Sequence, residues 1–281
     1  MADKPAPSRP FGTLAVRALT GALIGVAFLV AIFFGKRLGL AALISVVAVL
    51  AAAEFYAMSR RERRLPNELF GLAATGVMPF AAAIWGPWGL TSVVSALVIA
   101  SLAWHITFRQ IRAADTAVTV FGSVYVGFTL SHFVLIRGLD AGTELALATI
   151  VSVWANDVFA YLIGSAVGRH KMAPRISPNK SWEGFAAGTA FSIAVWVAVY
   201  YVASTGLSLA SLVLVGVAAS VAAVVGDLAE SRLKREIGLK DSGETLPGHG
   251  GFLDRFDSLI LVSIVTYYML LQAGATPAVL P

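Results

Sequence analysis

The sequence predicts an all-α polytopic membrane protein with about nine transmembrane helices and a polar pocket that faces the cytoplasm. Composition, apolar runs and the distribution of basic residues all favour this class. Of the 281 residues, 58% are hydrophobic and only 13% are charged, about half the charged share of a soluble domain. Such hydrophobicity excludes a disordered chain. The absence of cysteine excludes disulfides and thiolate metal ligands.

Nine apolar segments approach or exceed the length that a helix needs to cross a bilayer, which is about 20 residues. They lie at 14–34, 38–58, 69–85, 90–108, 117–135, 145–167, 185–202, 207–225 and 259–271. The third and ninth are short, and Pro79 in the third predicts a kink, because proline removes a helix hydrogen bond. We divide the chain into a tail at 1–13, N-terminal transmembrane helices at 14–140 and a C-terminal catalytic region at 141–281.

The basic residues predict the orientation of these segments. With a cytoplasmic N-terminus, 18 Lys and Arg side chains fall on the cytoplasmic side, and only Lys36, Arg37 and Arg137 fall on the other. This asymmetry follows the positive-inside rule. It predicts that the charged loops of the C-terminal region face the cytoplasm, and we expect the bacterial inner membrane as the location.

The basic run at 59–64 has two interpretations, which the sequence leaves open. It can anchor a helix end and fix the topology, or it can attract anionic lipid head groups. Either interpretation implies a membrane surface as the partner of the basic charge. No nucleic-acid-binding motif accompanies the positive net charge, and we therefore expect no nucleic acid as a partner.

Carboxylates within the apolar segments are functional candidates, because burying a charge in a membrane is costly. Asp157 lies past the middle of the sixth segment. Asp227 and Glu230 follow the eighth, and their spacing places both on one face of a helix. For Asp157 and Asp227 we favour a functional role. For Glu54, late in the second segment, we favour a structural role, such as pairing with an Arg at the helix end.

The segment at 226–258 carries most of the chemical signal and is predicted to be a loop. It contains a group of cations suited to phosphates: Arg232, Lys234, Arg235 and Lys240. It also contains glycines around a histidine, which let the backbone approach a ligand closely: Gly248, His249, Gly250 and Gly251. Asp254 and Asp257 supply oxygen donors of the kind that Mg²⁺ prefers. Together these groups are typical of a phosphoryl- or nucleotidyl-transfer site.

This segment resembles the signature of the phosphatidate cytidylyltransferases. The resemblance runs from Ser231 through Lys234-Arg235, Lys240-Asp241 and Leu246-Pro247-Gly248-His249-Gly250-Gly251 to Asp254-Arg255 and Asp257. The stretch 176–184, with Ser177-Pro178, Asn179-Lys180 and Trp182, is similar to a second motif of the family. A third match is Asp157 with Ala160-Tyr161 and Gly164, where Val158 and Phe159 depart from the family's pattern.

The resemblance implies transfer of CMP from CTP to phosphatidic acid in the bilayer, giving CDP-diacylglycerol and pyrophosphate. It implies Mg²⁺ held by Asp227 and Asp254, with Asp257 and Asp157 as further ligands or as ligands of a second cation such as K⁺. The catalytic candidates are Asp227, Asp254, Lys234, Arg235 and His249. The candidates for substrate binding are Asn179, Lys180, Ser231, Lys240, Arg255, Gly248, Gly250 and Gly251. His249 has two open interpretations, as a hydrogen-bond donor to phosphate or as a brace of its own turn.

Other interpretations remain to be weighed against this one. Glycines four residues apart, as in Gly164/Gly168 and Gly184/Gly188, indicate close helix packing rather than nucleotide binding. An ion-coupled transporter would also use carboxylates at membrane depth, and another lipid phosphate could replace phosphatidic acid. The small residues on the helix faces and the family resemblance suggest a homodimer.

Overall fold

The computed structural model describes residues 10–243, 245 and 250–278, with side chains from Leu19 onward. The helices are α1 (Pro10–Phe33), α2 (Lys36–Arg61), α3 (Glu68–Thr107), α4 (Ala113–Gly122), α5 (Thr129–Arg137), α6 (Gly142–Val167), α7 (Trp182–Val202), α8 (Leu209–Glu236) and α9 (Leu253–Gln272). A π-helical segment, Ser123–Phe128, joins α4 to α5. Two short antiparallel strands, β1 (Lys171–Ala173) and β2 (Ser177–Ser181), form a hairpin between α6 and α7.

The prediction of an all-α membrane protein is confirmed. Six continuous helical stretches of the described chain are long and apolar enough to cross a membrane: α2, α3, α4 through α5, α6, α7 and α8. Helix α1 contributes a shorter apolar stretch, Leu19–Phe33. The β1–β2 hairpin, which contains part of the second motif, was not predicted.

The third and fourth apolar segments lie in a single element, α3, which the sequence had divided. Its backbone leaves helical geometry at Gly86, where φ is 61° and ψ is −147°. A positive φ strains residues that carry a Cβ, so glycine is suited to this break, and Pro87 can then begin the next helical stretch. Pro79 lies within the helix and keeps helical dihedral angles, so a bend of the helix axis there stays a prediction.

Both ends of α3 lie at the same end of the helical bundle. The backbone N–H of Asn67, which caps the start of α3, donates to Thr119 Oγ1 of α4. The Asp115 carboxylate near the start of α4 accepts from the backbone N–H groups of Leu65 and Arg112, each at 2.9 Å. Since only a short turn joins Thr107 to α4, the two halves of α3 fold back on each other at Gly86.

The opposite end of the bundle is formed by the α1–α2 turn, the α5–α6 turn and the end of the chain. Arg37 donates to the carbonyl oxygens of Gly138 at 2.5 Å and Ala278 at 3.3 Å. Arg137 donates to the carbonyl oxygen of Ile32 at 3.0 Å. We call this end the tail face and the end that contains the α2–α3 turn the site face.

Helix α5 lies at the centre of the bundle, and its residues from Thr129 to Ile136 are buried. It packs against α2, α3, α6 and α9. The helices of the C-terminal region pack in sequence, α6 against α7, α7 against α8 and α8 against α9. This arrangement brings the ends of α6 and α8 and the start of α9 together at the site face.

Candidate active site

Close packing of α6 and α7 positions the motif at 176–184. A Cβ atom on Gly184 would collide with the carbonyl oxygen of Ala160, and one on Gly188 would collide with Asn156. These contacts agree with the expectation that the two glycines allow close packing of α6 and α7. Ser181 caps α7 by accepting from the backbone N–H of Gly184 at 3.2 Å, which fixes the residue before it, Lys180, beside α6.

The structure joins this motif to α8 through an ion pair. Lys180 Nζ lies 2.7 Å from Asp227 Oδ2, and both side chains are partly exposed. The hydroxyl of Ser231, one helical turn further along α8, donates to Asp227 Oδ1 at 3.2 Å. Lys180, Asp227 and Ser231, which come from two separate motifs, therefore lie together as predicted site residues.

Helices α8 and α9 meet closely beside Asp227. A Cβ on Gly226 would collide with the carbonyl oxygen of Asp257, so only glycine allows this approach. A polar cavity of about 310 Å³ lies at the junction. Its lining consists of Asp157, Asp227, Lys234, Asp241, Asp254, Arg255, Asp257 and Ser258. All four predicted metal ligands line this one cavity.

Lys234 lies at the inner edge of the polar cavity and contacts two carboxylates. Its Nζ is 2.5 Å from Asp254 Oδ1 and 2.6 Å from Glu230 Oε2. Glu230 is fully buried, and Lys234 is the one described cation that forms an ion pair with it. Lys234 therefore compensates this buried charge.

Asp254 is held in place by the loop before it as well as by Lys234. Its Oδ2 accepts from the backbone N–H groups of Ser242 and Gly251, each at 2.9 Å, and from the Ser242 hydroxyl at 3.0 Å. Two backbone N–H groups, the Ser242 hydroxyl and the ion pair with Lys234 therefore fix the Asp254 carboxylate.

The segment at 226–258 is not one loop. Helix α8 continues to Glu236, so Lys234 and Arg235 are helical, and α9 begins at Leu253, so Asp254 and Asp257 are helical too. The apolar pattern ends near Val225, but the charged residues continue the helix because they can pair with one another, as Arg232 does with Glu236 at 2.9 Å.

Other predicted residues lie around the polar cavity or outside the described residues. Arg235 donates to the carbonyl oxygen of Leu239 on the surface, and Lys240 is exposed beyond the end of α8. Gly250 has a φ of 80°, which favours glycine, and faces Asp254. His249 and Gly248 lie outside the described residues.

Sequence reasoning missed the partners of Glu54. No described Arg pairs with this carboxylate; instead it accepts hydrogen bonds from Ser242, Thr245, Phe252 and Leu253. The position of Glu54 in an apolar helix indicated that its carboxylate needs a partner. Nothing in the sequence indicated that the partners lie in a segment almost 200 residues away. Asp241, which lines the polar cavity, was missed as well.

The donor chemistry of the polar cavity fits a hard divalent cation, since its carboxylates offer only oxygen. Among the described residues, however, no three carboxylate or imidazole groups already form a cluster that could hold a metal ion. Lys180 and Lys234 contact the carboxylates of Asp227 and Asp254. These ammonium groups supply positive charge where a cation would otherwise do so.

Two further cavities adjoin the polar cavity at Asp157. An apolar groove of about 480 Å³ lies between α1, α6 and α9, with Gly25, Phe28 and Trp154 among its lining residues. Asp157 and Arg255 form part of both the groove and the polar cavity. A smaller pocket of about 230 Å³ lies against the β1–β2 hairpin and includes Asn179, Lys180 and Asp227.

Comparison with known proteins assigns a family to this arrangement. Residues 15–272 match the model of the family described as "Cytidylyltransferase family". The phosphatidate cytidylyltransferase of Bacillus subtilis (strain 168) is 33% identical over 260 residues, which is 90% of this chain and 96% of the relative. That of Staphylococcus aureus (strain COL) is 36% identical over 192 residues, 67% of this chain and 73% of the relative. That of Staphylococcus haemolyticus (strain JCSC1435) is 39% identical over 158 residues, 56% and 60% of the two chains.

Proposed function

Since the chain belongs to the cytidylyltransferase family, we propose that it is a phosphatidate cytidylyltransferase. It transfers CMP from CTP to the phosphate of phosphatidic acid and releases pyrophosphate. The observation that carries this proposal is the meeting of a polar, charged cavity with an apolar groove at Asp157 and Arg255. The names of the relatives support this activity and support neither a transporter nor another lipid acceptor.

The reaction requires positioning and charge neutralisation more than a protein nucleophile. An oxygen of the lipid phosphate attacks the α-phosphorus of CTP. The bond from that phosphorus to the oxygen bridging to the β-phosphate breaks, and pyrophosphate leaves with the electron pair. Lys234 and Lys180 already lie against the polar cavity, and their ammonium groups would transfer from carboxylates to the phosphates as negative charge develops.

Mg²⁺ is the cation that we propose for the polar cavity. Asp227 and Asp254 would hold it, and Asp257 and Asp157 would complete the site or hold a second cation such as K⁺. Bound there, the cation would neutralise phosphate charge and make the α-phosphorus more electrophilic.

The remaining polar residues would bind the two substrates. Arg255 lies where the polar cavity meets the apolar groove, so we propose that it binds the lipid phosphate. Asn179 and Ser231 would contact CTP from β2 and α8. Further phosphate ligands would come from the end of α8 and from the glycine-rich segment. They are Arg235, Lys240, Gly248, His249, Gly250 and Gly251.

The apolar groove would hold the acyl chains of phosphatidic acid. Its walls come from α1, α6 and α9, and Phe28, Phe256 and Leu259 form part of its lining. A lipid lying there would place its head group beside Arg255 and Asp157. The reaction would therefore occur with the lipid tail still within the hydrophobic environment of the bundle.

We further propose that the helices make nine crossings of the bacterial inner membrane, with the site face in the cytoplasm. Support comes from the break at Gly86, which allows α3 to cross twice, and from the 18 basic residues assigned to the side of the site. We also propose that the chain divides into a tail at 1–13, an N-terminal transmembrane region at 14–140 and a C-terminal catalytic region at 141–281. We propose in addition that the protein forms a homodimer. Glu54 of the N-terminal region contacts the catalytic region, so the two regions would act as one unit.

The activity is tested with the purified protein in detergent, radiolabelled CTP, phosphatidic acid and Mg²⁺. We expect labelled lipid and pyrophosphate from the wild type, and a loss of about 1,000-fold or more in Asp227→Ala and Asp254→Ala, because each removes charge at the reacting phosphates. Asp140→Ala, on the tail face, is the matched carboxylate control and should retain activity. Product formed without any divalent cation would contradict the metal assignment.

A further variant tests the groove in the same assay. A Cβ at Gly25 would already lie 3.5 Å from Trp154, so Gly25→Leu fills the groove with a larger side chain. We expect the KM for long-chain phosphatidic acid to rise about tenfold while the KM for CTP stays within about twofold. Gly39→Leu, where a Cβ meets open space, is the control. Equal lipid KM values for both variants would place the acyl chains elsewhere.

A further inference from the structure

Glu54 is a buried carboxylate of the N-terminal half that lies at the site face. Its exposed fraction is 7%, and no described Lys or Arg forms an ion pair with it. An uncompensated buried carboxylate is costly unless hydrogen-bond donors surround it. The donors around Glu54 therefore identify the part of the molecule that this residue serves.

The described donors come from the connection between α8 and α9 and from Leu253, the first residue of α9. Glu54 Oε1 accepts from the Thr245 hydroxyl and from the backbone N–H of Phe252, the latter at 2.9 Å. Its Oε2 accepts from the Ser242 hydroxyl at 2.8 Å and from the backbone N–H of Leu253 at 2.9 Å. The carboxylate thus contacts the beginning of the connection and the N-terminus of α9 at once.

Ser242 links Glu54 to the polar cavity. Its hydroxyl lies within hydrogen-bond distance of both Glu54 Oε2 and Asp254 Oδ2, and its backbone N–H donates to the same Asp254 oxygen at 2.9 Å. Asp254 in turn pairs with Lys234. A displacement of Glu54 would therefore be transmitted through one residue to the carboxylate that lines the cavity.

At two glycines of the connection, Glu54 leaves no space for a side chain. A Cβ on Gly243 would lie against the Glu54 carboxyl group, and one on Gly251 would collide with both Glu54 and Ser242. Neither glycine needs a positive φ, because neither is among the residues with one. Their small size allows the backbone to close around the carboxylate.

From these contacts we infer that Glu54 is a positioning residue, which fixes the α8–α9 connection so that Asp254 and Lys234 are preorganised for CTP and its cation. The inference rests on the proposed function for its kinetic consequence only. The contact itself is a property of the protein without substrate. The N-terminal half would therefore contribute to nucleotide binding without contacting the nucleotide.

The test compares Glu54→Gln with a matched control, Asp115→Asn. Both wild-type residues are buried carboxylates that accept two backbone N–H groups, but the side-chain hydrogen bonds of Asp115 go to Leu65 and Arg112 and to no described residue of the α8–α9 connection. Glutamine keeps the shape of Glu54 and replaces one acceptor oxygen by an NH₂ donor. The hydroxyl at that position can accept from the new donor, but the backbone N–H beside it loses its acceptor. The purified full-length protein is measured in detergent.

Two readouts separate positioning from stability. In the substrate-free protein we expect hydrogen exchange of the amides of Ser242, Gly251, Phe252 and Leu253 to become about tenfold faster in Glu54→Gln and to stay unchanged in Asp115→Asn. In kinetics we expect kcat/KM for CTP to fall about 10- to 100-fold in Glu54→Gln, because small displacements of catalytic groups have effects of this size. The KM for lipid should stay within about twofold.

Ser242→Ala provides a second route to the same conclusion. We expect it to lower kcat/KM for CTP in the same way, and the double variant with Glu54→Gln to lose less than the product of the single effects, because both act through one link. Unchanged exchange in Glu54→Gln, or unchanged CTP kinetics in Ser242→Ala, would overturn the inference. A wild type that makes no labelled lipid would overturn the proposed function instead, while the exchange comparison would still decide the role of Glu54.

Discussion

Two cations at each end of the bundle show a contrast in their partners. On the tail face, Arg37 and Arg137 donate to backbone carbonyl oxygens of Gly138, Ala278 and Ile32. On the site face, Lys180 and Lys234 contact the carboxylates of Asp227, Asp254 and Glu230. A backbone carbonyl group is uncharged and fixed in the chain. A carboxylate is charged, and a bound metal cation can compensate that charge in place of the lysine.

This difference separates a structural use of positive charge from a chemical one. A tail-face arginine donates to carbonyl groups of neighbouring turns, so its contribution is to hold these turns and Ala278 together. A site-face lysine can leave its carboxylate when a cation binds there and can then contact phosphate. Substitutions of these cations are therefore expected to differ in activity: activity should fall at the site face and should be retained at the tail face.

The largest effect is expected at Lys234. In Lys234→Met, Glu230 loses its compensating cation while fully buried, and breaking such a pair costs about 3–5 kcal/mol. We also expect activity per folded molecule to fall about 1,000-fold, because a cation is missing where phosphate charge develops. Thermal unfolding followed by tryptophan fluorescence and the labelled-lipid assay measure the two effects.

A second substitution separates these two effects of Lys234. In Lys234→Met with Glu230→Gln, the uncompensated charge is removed, so we expect most of the lost stability to return. Activity should remain as low as in the single variant, because the cation is still missing. Recovery of activity together with stability would mean that Lys234 serves the fold alone.

An intermediate effect is expected at Lys180. Lys180 and Asp227 are both partly exposed, so we expect Lys180→Met to change stability by less than about 1 kcal/mol. Activity should nevertheless fall about 100-fold, since the ammonium group pairs with Asp227, which lines the polar cavity. Lys171→Met, in the paired strand β1, is the control for the hairpin. Activity within about threefold of the wild type in Lys180→Met would exclude this residue from the site.

The sequence predicted those parts of the fold and site that depend on local pattern. The apolar segments follow the bilayer constraint, and each falls on a helix of the structure. The motif around Asn179 and Lys180 and the one around Asp227 were expected to share a site, and the Lys180–Asp227 pair joins them. Their meeting depends on Gly184 and Gly188, whose spacing had already indicated close helix packing.

The parts that escaped prediction depend on contacts between distant segments or on backbone choices between similar alternatives. Glu54 looked like an isolated charge in an apolar helix, because its four donors lie almost 200 residues later. The boundary between the third and fourth apolar segments was placed at 86–89, and the backbone does leave helical geometry there, at Gly86. The positive φ that makes this break is a backbone choice that the apolar pattern does not indicate.

The smallest effect on activity is expected at Arg37, which completes the comparison of the two faces. Arg37→Met removes hydrogen bonds to two carbonyl groups, and we expect a loss of about 1–3 kcal/mol in stability. Activity per folded molecule should stay within about twofold, because Arg37 and Glu54 are separated along α2 by 17 residues, about 25 Å of helix. Lys36→Met, an exposed neighbouring cation, is the control and should change neither quantity. A large loss of activity with unchanged stability in Arg37→Met would show that the tail face takes part in the reaction, and the division between structural and chemical cations would then fail.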